Sequence, residues 1–202
     1  MSKRLCIVGT GGFARETFFL ARTCGFNVEA FIDLQEGESI YGIPVRSESY
    51  FDSGTHMAVV AIGNPILRGM VVQKINNNTE YPALIHPNAL FSETVNFGHG
   101  AVVCANVILT CDVTIGDHAQ LNLGTTVGHG VKAGHFFTTA PGVHISGNNL
   151  IGNHVYFGTN SSTVENVRIS SGVTIGASAC VVRNIEEPGT YVGVPASRLI
   201  RK

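Results

Sequence analysis

A chain of 202 residues, 44% hydrophobic and only 13% charged, can bury a substantial core in one large or two small domains, which excludes an intrinsically disordered protein. Its formal net charge of −1 leaves no electrostatic footprint for nucleic acid or for an anionic membrane surface. The opening MSKRLCIVGTGG is too short and too polar for a signal peptide, and no run reaches the roughly 18 apolar residues of a membrane span, so the expectation is a soluble, cytoplasmic protein.

The chain begins with the layout strand, glycine turn, helix, strand. Leu5 to Val8 is an apolar run, and Gly9, Gly11 and Ala14 follow as GxGxxA. Phe13, Phe18, Leu20 and Ala21 give the next segment a helical face that Gly25 ends, and the apolar run Ala30 to Ile32 stops at Asp33. A third strand, HMAVVAIGNP, ends in Gly63 and Asn64 before a helix that carries Arg68. Aligned strand ends of this kind form a crevice in which helix N-termini face an anion and an acid after the second strand faces a ribose. A full dinucleotide fold needs on the order of 150 residues. Here a different pattern takes over near residue 89, so there is room for half of it and for a mononucleotide or nucleotide-sugar.

From Ala89 to Asn184 the sequence divides into sixes without insertion: ALFSET, VNFGHG, AVVCAN, VILTCD and onward to ACVVRN. The first position of each six is mostly Val or Ala. The third is most often an apolar residue, and the fourth is small, as at Gly98, Gly116, Gly128, Gly134, Gly152, Gly158 and Gly176. A period of six fits no amphipathic helix. It fits a parallel β-helix in which each six supplies one short strand and one corner and three sixes close a triangular coil. Residues 18 apart then share a column on neighbouring coils, roughly 4.8 Å apart. The expected fold class is therefore α/β plus all-β, a small Rossmann-like βαβ unit followed by a left-handed parallel β-helix. Its expected divisions are 1–86, 87–184 and a capping tail, 185–202. In that tail Pro188-Gly189 makes a turn and Tyr191-Val192 covers the last coil's open edge, while Arg198, Arg201 and Lys202 form a small basic end.

A Rossmann-like unit joined to a hexapeptide solenoid resembles the nucleotide-sugar N-acetyltransferases of bacillosamine and perosamine biosynthesis, together with the sialic acid O-acetyltransferases. The residues that carry the resemblance are IVGTGGFARE, FID, VAIGN, LIHPNA, VGHG, APGVHISGN and PGTYVGVPASRLI, which span essentially the whole chain. The resemblance implies an acetyl-CoA-dependent transfer to the amine of a nucleotide-linked amino-dideoxysugar, without a metal, in a homotrimer whose donor lies between adjacent solenoids. It implies that Gly11, Gly12, Phe13, Asp33, Gly63 and Asn64 hold the nucleotide. His129 would be the general base and Gly147 N–H the oxyanion donor. Thr138 stands where some members have a histidine near the acetyl group, and main-chain groups around Thr159 and Ala177 would meet the pantetheine arm. Many relatives carry an acid directly after the base, where this chain has Gly130. Column counting places Asp112 one coil below Gly130, as a replacement carboxylate or as a solvated corner residue.

The other histidines are assigned by column. His99, Asp117 and His135 form one ladder, either hydrogen-bonded or able to hold a metal as in solenoid carbonic anhydrases. His118 and His154 flank Phe136 as packing residues, His144 follows the turn APGV near the donor groove, and His86 belongs to the domain junction. Cys6, Cys24, Cys104, Cys111 and Cys180 are odd in number and without CxxC spacing, as expected for reduced structural thiols. Sugar O-acetylation, a metal-dependent hydratase and a non-catalytic nucleotide-sensing scaffold remain the competing readings.

Overall fold

The computed structural model describes residues 3–75 and 78–200. Its N-terminal unit runs β1 (Arg4–Val8), α1 (Gly12–Thr23), β2 (Val28–Asp33), β3 (Gly37–Ile40), β4 (Ile43–Ser47), β5 (His56–Val60) and α2 (Pro65–Lys74). The sheet order is β3-β4-β2-β1-β5, with β4, β2, β1 and β5 parallel. Strand alternation sends Leu5 and Ile7 to the α1 side, with Phe18 and Phe31. Cys6, Val8, Ala30, Ile32, Ala58 and Val60 go to the other side, with Val71 and Val72 of α2. A parallel sheet covered on both faces explains why its strands read as continuous apolar runs. The β3–β4 hairpin adds an element the sequence reading passed over. Tyr41 and Gly42 both take positive φ, 53° and 77°, between the paired Ile40 and Ile43, which is the two-residue hairpin geometry.

The solenoid is three parallel sheets with a uniform offset of 18. The first face stacks residues 84, 102, 120, 138 and 156. The second stacks 90, 108, 126, 144 and 162, and the third 96, 114, 132, 150 and 168. The ladder begins at Leu84–Ile85, which pairs with Val102–Val103. Third-position side chains such as Leu109, Ile115, Leu121, Val127 and Phe157 fill the axis. Fourth positions are small because the next coil's backbone lies against them. A Cβ on Gly116 would meet the carbonyl carbon of Gly134 at 2.5 Å.

Corners take left-handed conformations, including Asp112, His118, Phe136, Asn148 and His154. Gly189–Val192 adds in parallel to Val173–Ile175, and Ser197–Arg198 folds back antiparallel, so Tyr191 and Val192 do cover the final coil. Arg198 is engaged with Glu187, at 2.5 Å, and with the Pro188 carbonyl. Arg201 and Lys202 of the expected basic end lie outside the described residues. All five cysteines are free, and burial pushes the Cys6 and Cys104 thiols up to about 12. Among the described residues no helix is long and apolar enough to cross a membrane.

Candidate active site

The carboxyl ends of β1, β2 and β5 meet at the crevice expected from the glycine turn. Gly11 is the N-cap of α1 and Gly12 its first residue; a Cβ on either, or on Gly63, would meet nothing within 4 Å. Backbone amides are therefore accessible there, at the positive end of a 12-residue helix. Asp33 closes the far side and accepts from the Thr10 hydroxyl and, at 2.7 Å, from Leu34 N–H. Thr10, Arg15, Asp33, Leu34 and Glu38 line a cavity of about 450 Å³. Asn64 is partly committed elsewhere. Its Oδ1 caps α2, accepting from Ile66 and Leu67 N–H at 3.0 Å each. Phe13 and Gly63 stand where the crevice meets the solenoid, and with Gln120, Thr138, Tyr156 and Thr159 they line a second cavity of about 340 Å³.

His129 sits exposed at the corner between the second and third faces. Its ring lies over Gly147 of the next coil, so that a Cβ there would meet both imidazole Cε1 and Nε2 at 2.7 Å. Asn148 N–H donates to the His129 carbonyl at 2.7 Å, which holds the two coils in register. Gly147 N–H donates to no group among the described residues. An imidazole beside a free backbone N–H is the minimal pair for removing a proton and stabilising an oxyanion. One coil below, Gly130 N–H donates to the Cys111 carbonyl at 3.0 Å, which places Asp112 directly beneath Gly130. Asp112 is exposed and left-handed, and its N–H donates to Thr94 Oγ1 at 2.7 Å. A Cβ at position 130 would meet Asn148 Oδ1 at 2.3 Å, and the backbone there has φ +68°, so an acid side chain needs the exposed Asn148 side chain to turn aside and a left-handed backbone.

The named residues thus fall into two sets on one chain. His129, Gly147 and Asp112 occupy the second–third corner. Thr138 lies on the first face, and Thr159 and Ala177 on the first–second corner, beside the N-terminal crevice. The second–third corner is the vertex opposite the first face. A side of six residues spans at most about 20 Å, and the space between is packed core. His129 does not reach the crevice of its own chain.

The remaining histidines resolve into structure. Asp117 Oδ1 accepts from His99 N–H at 2.8 Å, His135 Nδ1 from Asp117 N–H at 3.1 Å, and Asn153 Oδ1 from His135 N–H at 2.8 Å. That column is a side-chain-to-backbone ladder, and His135 Nδ1 also lies 3.2 Å from Asp117 Oδ2. His118, Phe136 and His154 stack with centroids 5.4 and 4.7 Å apart. Burial pushes His118 down to about 4, so it packs as a neutral ring. His144 Nδ1 is 2.8 Å from Thr126 Oγ1, and His86 Nδ1 accepts from Asn88 N–H within the junction.

Sequence reading named Arg68 only as a helix residue. The structure buries it completely between the two units, with Gln120 and Thr138 as partners. The signal available in sequence was a lone arginine on a helix whose other side chains are mostly apolar.

The PglD N-terminal domain family matches residues 4–75. The chain is 27% identical over 172 residues to GDP-perosamine N-acetyltransferase from Escherichia coli O157:H7, covering 80% of this chain and 78% of that protein. It superposes on a histidine-to-asparagine mutant of perosamine N-acetyltransferase from Caulobacter crescentus, solved in complex with CoA and GDP-perosamine. There the TM-score is 0.94 and the identity 28%, over 100% of this chain and 99% of that one. The acetyltransferase domain of PglB from Neisseria gonorrhoeae FA1090, in complex with acetyl coenzyme A, aligns with TM-score 0.92 and 29% identity, over 98% and 100% of the two chains.

Proposed function

We propose, from its likeness to the nucleotide-sugar N-acetyltransferases, that the chain is a member of that family and moves the acetyl group of acetyl-CoA onto the amine of a nucleotide-linked amino-dideoxysugar. The observation that carries the reading is the His129 ring packed against Gly147, whose N–H donates to no described residue. The sugar amine attacks the thioester carbonyl and His129 takes its proton. Gly147 N–H stabilises the tetrahedral oxyanion, and collapse forms the amide and expels the CoA thiolate, which recovers a proton. Histidine suits this role because an imidazole can both accept and release a proton. The crevice at Gly11, Gly12, Asp33 and Gly63 holds the nucleotide through its accessible amides.

The separation of the two residue sets supports a homotrimer in which the second–third corner of one copy faces the first–second corner and crevice of the next. The donor would then run between them, past Thr138, Thr159 and Ala177. Acetyl-CoA and nucleotide-sugars as substrates, with five free thiols, support a cytoplasmic location.

Complementation tests this arrangement. Gly11→Asp keeps a good N-cap for α1 but sets a negative charge where the phosphates bind. Co-expressed with His129→Ala, itself inactive, it should regenerate sites that combine an intact crevice from one copy with His129 from another. Random assortment predicts about a quarter of wild-type activity. Mixed oligomers as inactive as either parent would rule out a site shared between copies.

A further inference from the structure

Arg68 presents a buried cation without a counter-ion. The side chain is wholly inaccessible and makes no ion pair among the described residues. Its donors all go to neutral oxygens. Nε donates to the His118 carbonyl at 2.9 Å. Nη1 donates to the Ile62 carbonyl at 2.5 Å and to Gln120 Oε1 at 2.9 Å, with the Gly63 carbonyl at 3.4 Å. Nη2 donates to the Phe136 carbonyl at 2.9 Å and to Thr138 Oγ1 at 2.6 Å. Gln120 extends the connection, because its Nε2 donates to the Val60 carbonyl at the end of β5 at 3.0 Å.

Burying a guanidinium is costly, and the burial draws its pKa down to about 9, still charged at neutral pH. If simple adhesion between the two units were needed, apolar packing would supply it without that cost. What the planar fork supplies is fixed geometry. One side chain holds the Ile62–Gly63 turn, which lines the crevice, and the first-face residues 120 and 138, which line the adjoining cavity. With the carbonyls of Ile62 and Gly63 drawn to the guanidinium, the N–H groups of the same peptide planes, those of Gly63 and Asn64, point the opposite way. Neither donates to a described residue.

Resting on the acetyltransferase reading, we infer that Arg68 is a positioning residue that sets the register between the nucleotide-sugar crevice and the acyl-donor wall of the solenoid. It touches neither substrate. A shift of the order of 1 Å in that register costs about a hundredfold in rate while leaving each half-site able to bind.

The test measures three quantities on wild type, Arg68→Lys and Gln120→Met: steady-state kcat, the Kd of CoA, and the Kd of the nucleotide amino sugar that wild type acetylates. Lysine keeps a cation but cannot span the acceptors, and methionine removes the link to Val60 with little change of volume. The expected result is a roughly hundredfold fall in kcat for Arg68→Lys and a roughly tenfold fall for Gln120→Met, with both Kd values within about threefold of wild type. Should Arg68→Lys fail to fold, Gln120→Met alone decides. Folded variants with unchanged kcat overturn the inference. So does a loss of affinity as large as the loss of turnover, which would make Arg68 a binding residue only. A wild-type chain that acetylates no nucleotide amino sugar overturns the acetyltransferase reading itself, and the inference with it.

Discussion

His129→Ala lowers turnover with acetyl-CoA and the amino sugar by two or more orders of magnitude, while CoA affinity and the melting temperature stay close to wild type. General-base catalysis by a positioned side chain contributes about 10²- to 10⁴-fold, and His129 is the imidazole at the Gly147 corner. Its exposure and its place outside the packed axis make the substitution mild for the fold. The loss should sit in kcat and kcat/KM together, as for an interaction made only in the transition state. Release of CoA that survives the mutation would keep the transferase and discard this base. The same assay decides the role of Asp112, one coil below Gly130. Asp112→Asn lowers turnover at unchanged CoA affinity if the carboxylate orients the imidazole. Unchanged turnover would leave Asp112 as a corner residue.

Gly147→Ala is the second large effect, and it acts through a single methyl group. The backbone at Gly147 is not in the left-handed region, so alanine suits it conformationally. The added Cβ nevertheless meets the His129 ring at 2.7 Å, well inside contact distance. The ring must swing away, and the methyl stands beside the free N–H. Both the base and the oxyanion donor are disturbed at once, so the expected fall in kcat is about a hundredfold or more, comparable to removing an oxyanion-hole donor. Circular dichroism and melting should stay near wild type, because the collision is with an exposed side chain. A Gly147→Ala enzyme as active as wild type would show that the His129–Gly147 juxtaposition is not the reacting centre.

Much of this architecture was legible in the sequence because a solenoid repeats one local rule. Once the sixes were in register, every column followed, and the stacking of His118, Phe136 and His154 or the His99–Asp117–His135 ladder needed only counting by eighteen. The β-turn-α signals of the N-terminal unit were equally local. Long-range interactions were what escaped. The β3–β4 hairpin turns on Tyr41 adopting positive φ, which sequence disfavours for an aromatic residue. Arg68 shows nothing locally of its partners at 120 and 138, more than fifty residues away. Nor does the hexad register alone say on which corner the N-terminal unit docks. For that reason the separation of His129 from the crevice emerged only with the fold.

The most direct test of the central claim is thiol release from acetyl-CoA by the wild-type protein against a panel of UDP-, GDP- and dTDP-linked amino-dideoxysugars, with free hydroxylated sugars alongside. The account predicts CoA release with one nucleotide-linked amino sugar and recovery of its N-acetylated product. Release only with a free hydroxylated sugar, or with none of the acceptors, would contradict it.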